Sequence, residues 1–137
     1  MLLLFAALLS SAAPLACPPR FPSEADLDSS KPVERSGAGL WIAGTPFPAA
    51  DLAEAVAREH PDHGWQITIR FRDAGIARFA EISRCRQMQM AEISVDDILI
   101  SRPVFYEEIR GGEVMLSGGL DHEQATAFVA RLTPAAH

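Results

Sequence analysis

Lysine occurs once in this chain, at Lys31, tyrosine once and cysteine twice. With 12 basic against 18 acidic side chains and a formal net charge of -6, the sequence lacks the clustered positive footprint that nucleic-acid binding requires. The same deficit leaves no polybasic patch for an anionic membrane surface. Two cysteines are too few for a disulfide-built scaffold. No apolar run reaches the roughly 20 residues that a membrane-spanning helix needs. Missing as well are the Gly-x-Ser-x-Gly elbow of a serine hydrolase and the lysine-bearing glycine loop of a phosphate cradle. These absences direct attention away from nucleic acid and from hydrolase or nucleotide chemistry.

What remains is 137 residues at 48% hydrophobic and 22% charged content, enough for one globular domain with its own core. Some of that hydrophobicity is spent at the start. Leu2 to Leu9 is apolar and is followed by Ser10, Ser11, Ala12 and Ala13, the order of a signal-peptide apolar region and its cleavage segment. Residues 1–16 therefore read as a signal peptide cut near Ala13 or Ala16, and the mature protein as periplasmic or otherwise exported; the alternative is an uncleaved anchor. Because residues 1–16 carry no ionisable side chain, the charge of -6 survives cleavage. Leu15-Ala16-Cys17 partly resembles a lipobox, with Pro14 where leucine is preferred, which makes Cys17 a candidate for lipidation. Membrane contact follows only from that modification or from an uncleaved signal. Cys85 falls at the end of an expected helix and reads as a half-buried small hydrophobe, with pairing to Cys17 left open. Residues 17–39 combine Pro18, Pro19, Pro22 and Pro32 with polar residues and show no apolar period, the composition of a flexible linker. The domain is then expected over 40–134.

Within it, Trp65 to Arg72 alternates strictly, with Trp65, Ile67, Ile69 and Phe71 on one face, as in a strand with one wet side. From Asp73, the spacing of Ile76, Phe79, Ala80 and Ser83 predicts a helix lying on the sheet. Gln89–Val95 and Ile98–Val104 predict a hairpin around Asp96-Asp97, a turn less suited to positive φ than Asp-Gly. Val114–Ser117 predicts another strand, released by Gly118-Gly119 into a helix capped by Asp121 and Gln124, with Ala125, Phe128, Val129 and Leu132 on its inner face. Asp51 is placed to cap a short helix through Leu52, Ala55 and Val56. The fold class expected is α+β, a two-layer sandwich of an antiparallel sheet of about four strands with two main helices on one face.

The same order of elements resembles a known module. Gln66 to Phe71, Ala74-Gly75 and Arg78-Phe79-Ala80-Glu81-Ile82-Ser83 are followed by Met90 to Pro103. Ile109-Arg110-Gly111-Gly112, Met115 to Gly119 and Glu123-Gln124-Ala125 complete the series. Together they resemble the periplasmic head subdomain of the SecD subunit of the bacterial protein-export machinery. Asp51-Leu52-Ala53-Glu54-Ala55 is similar to the short helix ahead of that family's first strand. The chain departs from the pattern at Gln87, at Asp97 in place of the turn glycine, and at Arg102 before Pro103. The resemblance implies a module that contacts exported polypeptide outside the membrane. Proton coupling, which the family carries in its membrane part, is not implied for this sequence, where no intramembrane acid is present.

Chemical candidates are few. His60-Pro61-Asp62-His63 gathers two imidazoles and a carboxylate in a loop, so a small periplasmic ligand- or metal-binding protein is the alternative function. Met88, Met90 and Met115 read as core filling. Asp96-Asp97 and Glu107-Glu108 are sequence neighbours whose side chains diverge, unlike an acid/base pair. No catalytic residue, cofactor site or metal site is assigned, and an enzyme is not expected. The expected contact is with a protein or polypeptide partner in the cell envelope, through the loop from Arg102 to Gly112, by Phe105, Tyr106, Arg102 and Arg110.

Overall fold

The computed structural model describes residues 31–132. In chain order the elements are β1 (Leu40–Ile42), β2 (Thr45–Phe47), a 3-10 turn (Ala49–Asp51), β3 (Leu52–His60), β4 (Gly64–Phe71), α1 (Asp73–Cys85), β5 (Gln89–Met90), β6 (Ile93–Val95), β7 (Ile98–Ser101), β8 (Val104–Phe105), β9 (Glu113–Leu120) and α2 (His122–Leu132). This is the α+β architecture, with the strands shared among antiparallel ladders ordered β2-β1-β6-β7, β3-β4-β9 and β5-β8.

β4 is the strand whose alternation is plainest in the sequence, and it lies at the centre of its sheet. Ile67 and Ile69 are fully buried and Phe71 nearly so, while Arg70 is exposed. Its partner β3 replaces the helix expected after Asp51. Ala-Glu-Ala-Val-Ala-Arg forms helices readily, but it also alternates, and pairing along β4 from Leu52↔Phe71 to His60↔Gly64 decides the outcome. Asp51 caps nothing. It is buried, its carboxylate pairs with Arg78 and its carbonyl accepts from the Arg72 amide at 2.7 Å. On the other side of β4, Gly118-Gly119 does not end the strand as expected. The register steps from Gln66↔Ser117 to Trp65↔Leu120, so the two glycines bulge out and β9 continues beyond them.

Asp96 and Asp97 make the two-residue turn between β6 and β7 with φ of 50° and 66°, the positive values of a type I′ hairpin. Neighbouring groups hold this strained pair in place. Asp96 Oδ1 accepts from the Gly39 amide at 2.6 Å and Asp97 Oδ1 from Ser36 Oγ at 2.7 Å. Past a register shift at Ile93/Ser94 the hairpin continues as β5 and β8, with the Ala91 amide donating to Pro103 O.

α1 buries Gly75, Phe79, Ile82 and Ser83. A Cβ on Gly75 would stand 2.8 Å from Asp51 O, so glycine here sets how closely the helix approaches the 3-10 turn. Phe79 meets the edges of Phe71 and Phe105 at centroid distances of 5.3 and 5.6 Å. α2 opens with the expected capping box: Gln124 N donates to Asp121 Oδ1 at 2.8 Å and Asp121 N to Gln124 Oε1 at 3.0 Å. Its Ala125, Phe128 and Leu132 join Phe79 and the strand residues in one apolar cluster.

Residues 31–39, the part of the expected flexible linker that is described, are docked on this core. Val33 N and Glu34 N both donate to Glu92 Oε1, and Glu92 N donates to Glu34 Oε2 at 2.9 Å. Arg86, 1% exposed, binds Glu34 Oε1 and Met90 O, and Arg102 pairs with Glu92 Oε2 at 3.1 Å. Two arginines thus face two glutamates in a net-neutral buried cluster, the arrangement in which burial of charge is tolerable. Cys17, the signal segment and residues 133–137 lie outside the described residues.

Candidate functional site

The four residues expected to meet a partner separate into two groups. Phe105 is 3% exposed, because its pairing with Gln89 across β5-β8 turns the ring onto Phe79; it is core, not surface. Arg102 likewise serves the buried cluster through Glu92. Tyr106, by contrast, is 71% exposed, and Arg110 extends into solvent with its guanidinium on Glu108 at 2.7 Å. Their loop is held at two points. Ile109 N donates to Ser83 Oγ at 2.8 Å, fastening it to α1, and Gly112 O accepts from the Phe71 amide at 2.8 Å, fastening it to β4.

A residue absent from the expected site completes it. Met88 is 70% exposed at φ 62°, and its amide donates to Phe105 O, which sets it beside Tyr106. Its assignment to the core fails because the turn after α1 takes a left-handed residue there and points the chain outward. Met115, 56% exposed, also leaves the core; it sits on the wet face of β9 opposite Thr68. An exposed methionine and an exposed tyrosine on adjoining segments offer adaptable apolar surface near Glu107, Glu108 and Arg110.

The wet face of β3-β4-β9 is the second feature. It forms an open groove of about 430 Å3 whose lining includes Glu54, Arg58, Arg70, Glu113 and Met115. Glu54 and Arg70 pair across the strands at 3.0 Å, both about half exposed. At one end the rings of His60 and His63 lie 4.7 Å apart, and His60 Nδ1 accepts from the Asp62 amide at 3.1 Å. Among the described residues no group of three or more His, Cys, Asp or Glu is placed to hold a metal ion.

On α1, Glu81 raises the Arg84 pKa above the ordinary guanidinium value, first by hydrogen bonding and then by charge. That shift adds no group titrating near neutrality. Cys85 is disulfide-bonded and so is not the free small hydrophobe expected from its position.

Strands in antiparallel ladders and two covering helices define an α+β module. The chain belongs to the SecDF P1 head subdomain family, whose model matches residues 43–136. A relative is the protein translocase subunit SecD of Streptomyces coelicolor, 30% identical over a 124-residue alignment that covers 77% of this chain and 22% of that protein. The chain thus spans about a fifth of that relative's length. Two solved structures are similar at 28% identity. The first, of a membrane component SecDF that enhances protein export, superposes with a TM-score of 0.57 over 63% of this chain and 39% of its own. The second, SecDF in a super-membrane-facing form, gives a TM-score of 0.53 over 64% of this chain and 12% of its own. No helix among the described residues is long and apolar enough to cross a membrane.

Proposed function

We infer that this chain is an exported, non-enzymatic accessory protein that binds polypeptide or an envelope protein partner during protein translocation. The observation that carries the reading is exposed Tyr106, on a loop anchored to both α1 and β4, with exposed Met88 in the neighbouring turn after α1, in a chain of the SecDF head family. A thioether side chain that adapts its shape, next to a rigid amphipathic ring, suits apolar side chains presented in many sequences. Arg110, Glu107 and Glu108 form the polar rim, where charge governs approach more than residence. The relatives' association with protein export supports polypeptide as the ligand and the periplasm as the compartment.

A photo-crosslinking residue placed at position 106 tests this, with the same residue at Thr126, exposed on α2, as control. Crosslinks to an unfolded exported polypeptide at 106 and not at 126 are expected. A retained metal lost with His60→Ala or His63→Ala, without crosslinking at 106, would instead establish the ligand-binding alternative.

A further inference from the structure

β3 is the outermost strand of its sheet and runs for nine residues. Among the described residues no strand pairs with its outer side. Such an edge offers a row of backbone donors and acceptors, which proteins commonly guard with proline, lysine or a bulge. Leu52–His60 contains neither proline nor lysine, and its register shift falls at the beginning, between Leu52 and Glu54. Alternation along the strand sets Ala55 and Ala57 toward the core side and Glu54, Val56, Arg58 and His60 on the wet side.

The geometry points to a second copy of this chain as the occupant of that edge, joined by antiparallel pairing of β3 with β3. In a two-fold pairing the same patch serves both copies, and facing residues share one side of the sheet only when the axis passes through a residue position. An axis at Val56, the midpoint of Leu52–His60, matches the whole strand. It brings Glu54 opposite Arg58 of the second copy, Arg58 opposite its Glu54, and Val56 against Val56. Shifting the axis to Ala55 sets Glu54 against Val56 and Arg58 against Leu52; shifting it to Ala57 sets Val56 against Arg58 and Glu54 against His60. Of the three central registers only the one at Val56 pairs opposite charges, so the side chains specify it. On the core side Ala55 then meets Ala57, a small pair that leaves the strands free to approach. The product is a six-stranded sheet, β9-β4-β3-β3-β4-β9, whose joined wet faces form one continuous surface.

Sedimentation velocity across a concentration series tests the pairing. The parent is expected to move from monomer to dimer, and the β3 amides to gain protection from hydrogen exchange over the same range. Glu54→Arg alone sets Arg against Arg58, and Arg58→Glu alone sets Glu against Glu54, so each variant remains monomeric. An equimolar mixture of the two restores the dimer as a heterodimer, and the double variant E54R/R58E restores it alone. A parent that stays monomeric to millimolar concentration overturns the proposal, as do β3 amides indifferent to concentration or a mixture no more dimeric than its parts. Crosslinking at position 106 is independent of all these outcomes.

Discussion

Arg86 and Glu34 are 52 residues apart in sequence and meet side chain to side chain inside the protein, at 1% and 7% exposure. Through this pair and Glu92 the segment ahead of β1 is bound to the turn after α1 and to the start of β6. The contact makes residues 33–39 part of the fold and closes the side of the β6-β7 hairpin on which Asp96 and Asp97 hold their turn.

Removing one member of that cluster strands a buried charge. Arg86→Met is expected to lower stability by about 3–5 kcal/mol, read as a fall in the urea midpoint at unchanged m-value. Glu34→Gln combined with Arg86→Met should recover part of the loss. A single-variant loss under about 1 kcal/mol would show that the cluster is solvated.

Phe79 and Phe128 anchor the two helices, at 0% and 8% exposure. Each change to Ala should cost about 3–5 kcal/mol, with Phe79 the more damaging because its ring also edges Phe71 and Phe105. Equal or trivial shifts in thermal or denaturant midpoint would count against this ranking.

Asp97 stands at φ 66°. Glycine there relieves a left-handed conformation worth roughly 1–2 kcal/mol but loses the exposed hydrogen bond from Ser36, worth roughly 0.5–1.5 kcal/mol. Asp97→Gly should therefore remain within about 1 kcal/mol of the parent, whereas Asp97→Val, a β-branched residue without the acceptor, should fall by about 2 kcal/mol or more. Chemical denaturation of the two variants side by side decides it.

Cys85 is disulfide-bonded, and the sequence holds one other cysteine, Cys17. A disulfide that uses Cys17 leaves it no thiol for a lipid thioether, so the two fates exclude each other. Intact mass of the mature protein is expected to show loss of roughly the first 13 to 16 residues, as a signal-peptide cut implies. It should gain two hydrogens on reduction and carry no diacyl group. A diacyl mass would mean that Cys17 is spent on lipid.

Strands and helices with a local signature were legible in the sequence. Strict alternation from Trp65, the three- and four-residue spacing around Phe79 and the Asp121–Gln124 box each act within a few residues, and each appears where the pattern sets it. β3 was hidden because its alanine-rich sequence suits helix and strand alike, and only pairing with β4 along its length distinguishes them. The Glu34, Arg86, Glu92 and Arg102 cluster joins the segment ahead of β1 to residues more than 50 positions later and has no local period at all. At the candidate site the loop was legible but its facing was not: the β5-β8 ladder turns Phe105 inward, and the left-handed backbone at Met88 turns that side chain outward.

The most direct test of the central claim is equilibrium binding of a fluorescently labelled, permanently unfolded exported polypeptide to the parent and to the Met88→Ser/Tyr106→Ser variant. Both side chains are exposed, so the variant should keep the parent's circular dichroism and denaturation midpoint. If the pair forms the contact, with an anchor carrying about 2 kcal/mol, affinity should fall by about thirtyfold or more. Undiminished binding by a folded variant would contradict the account.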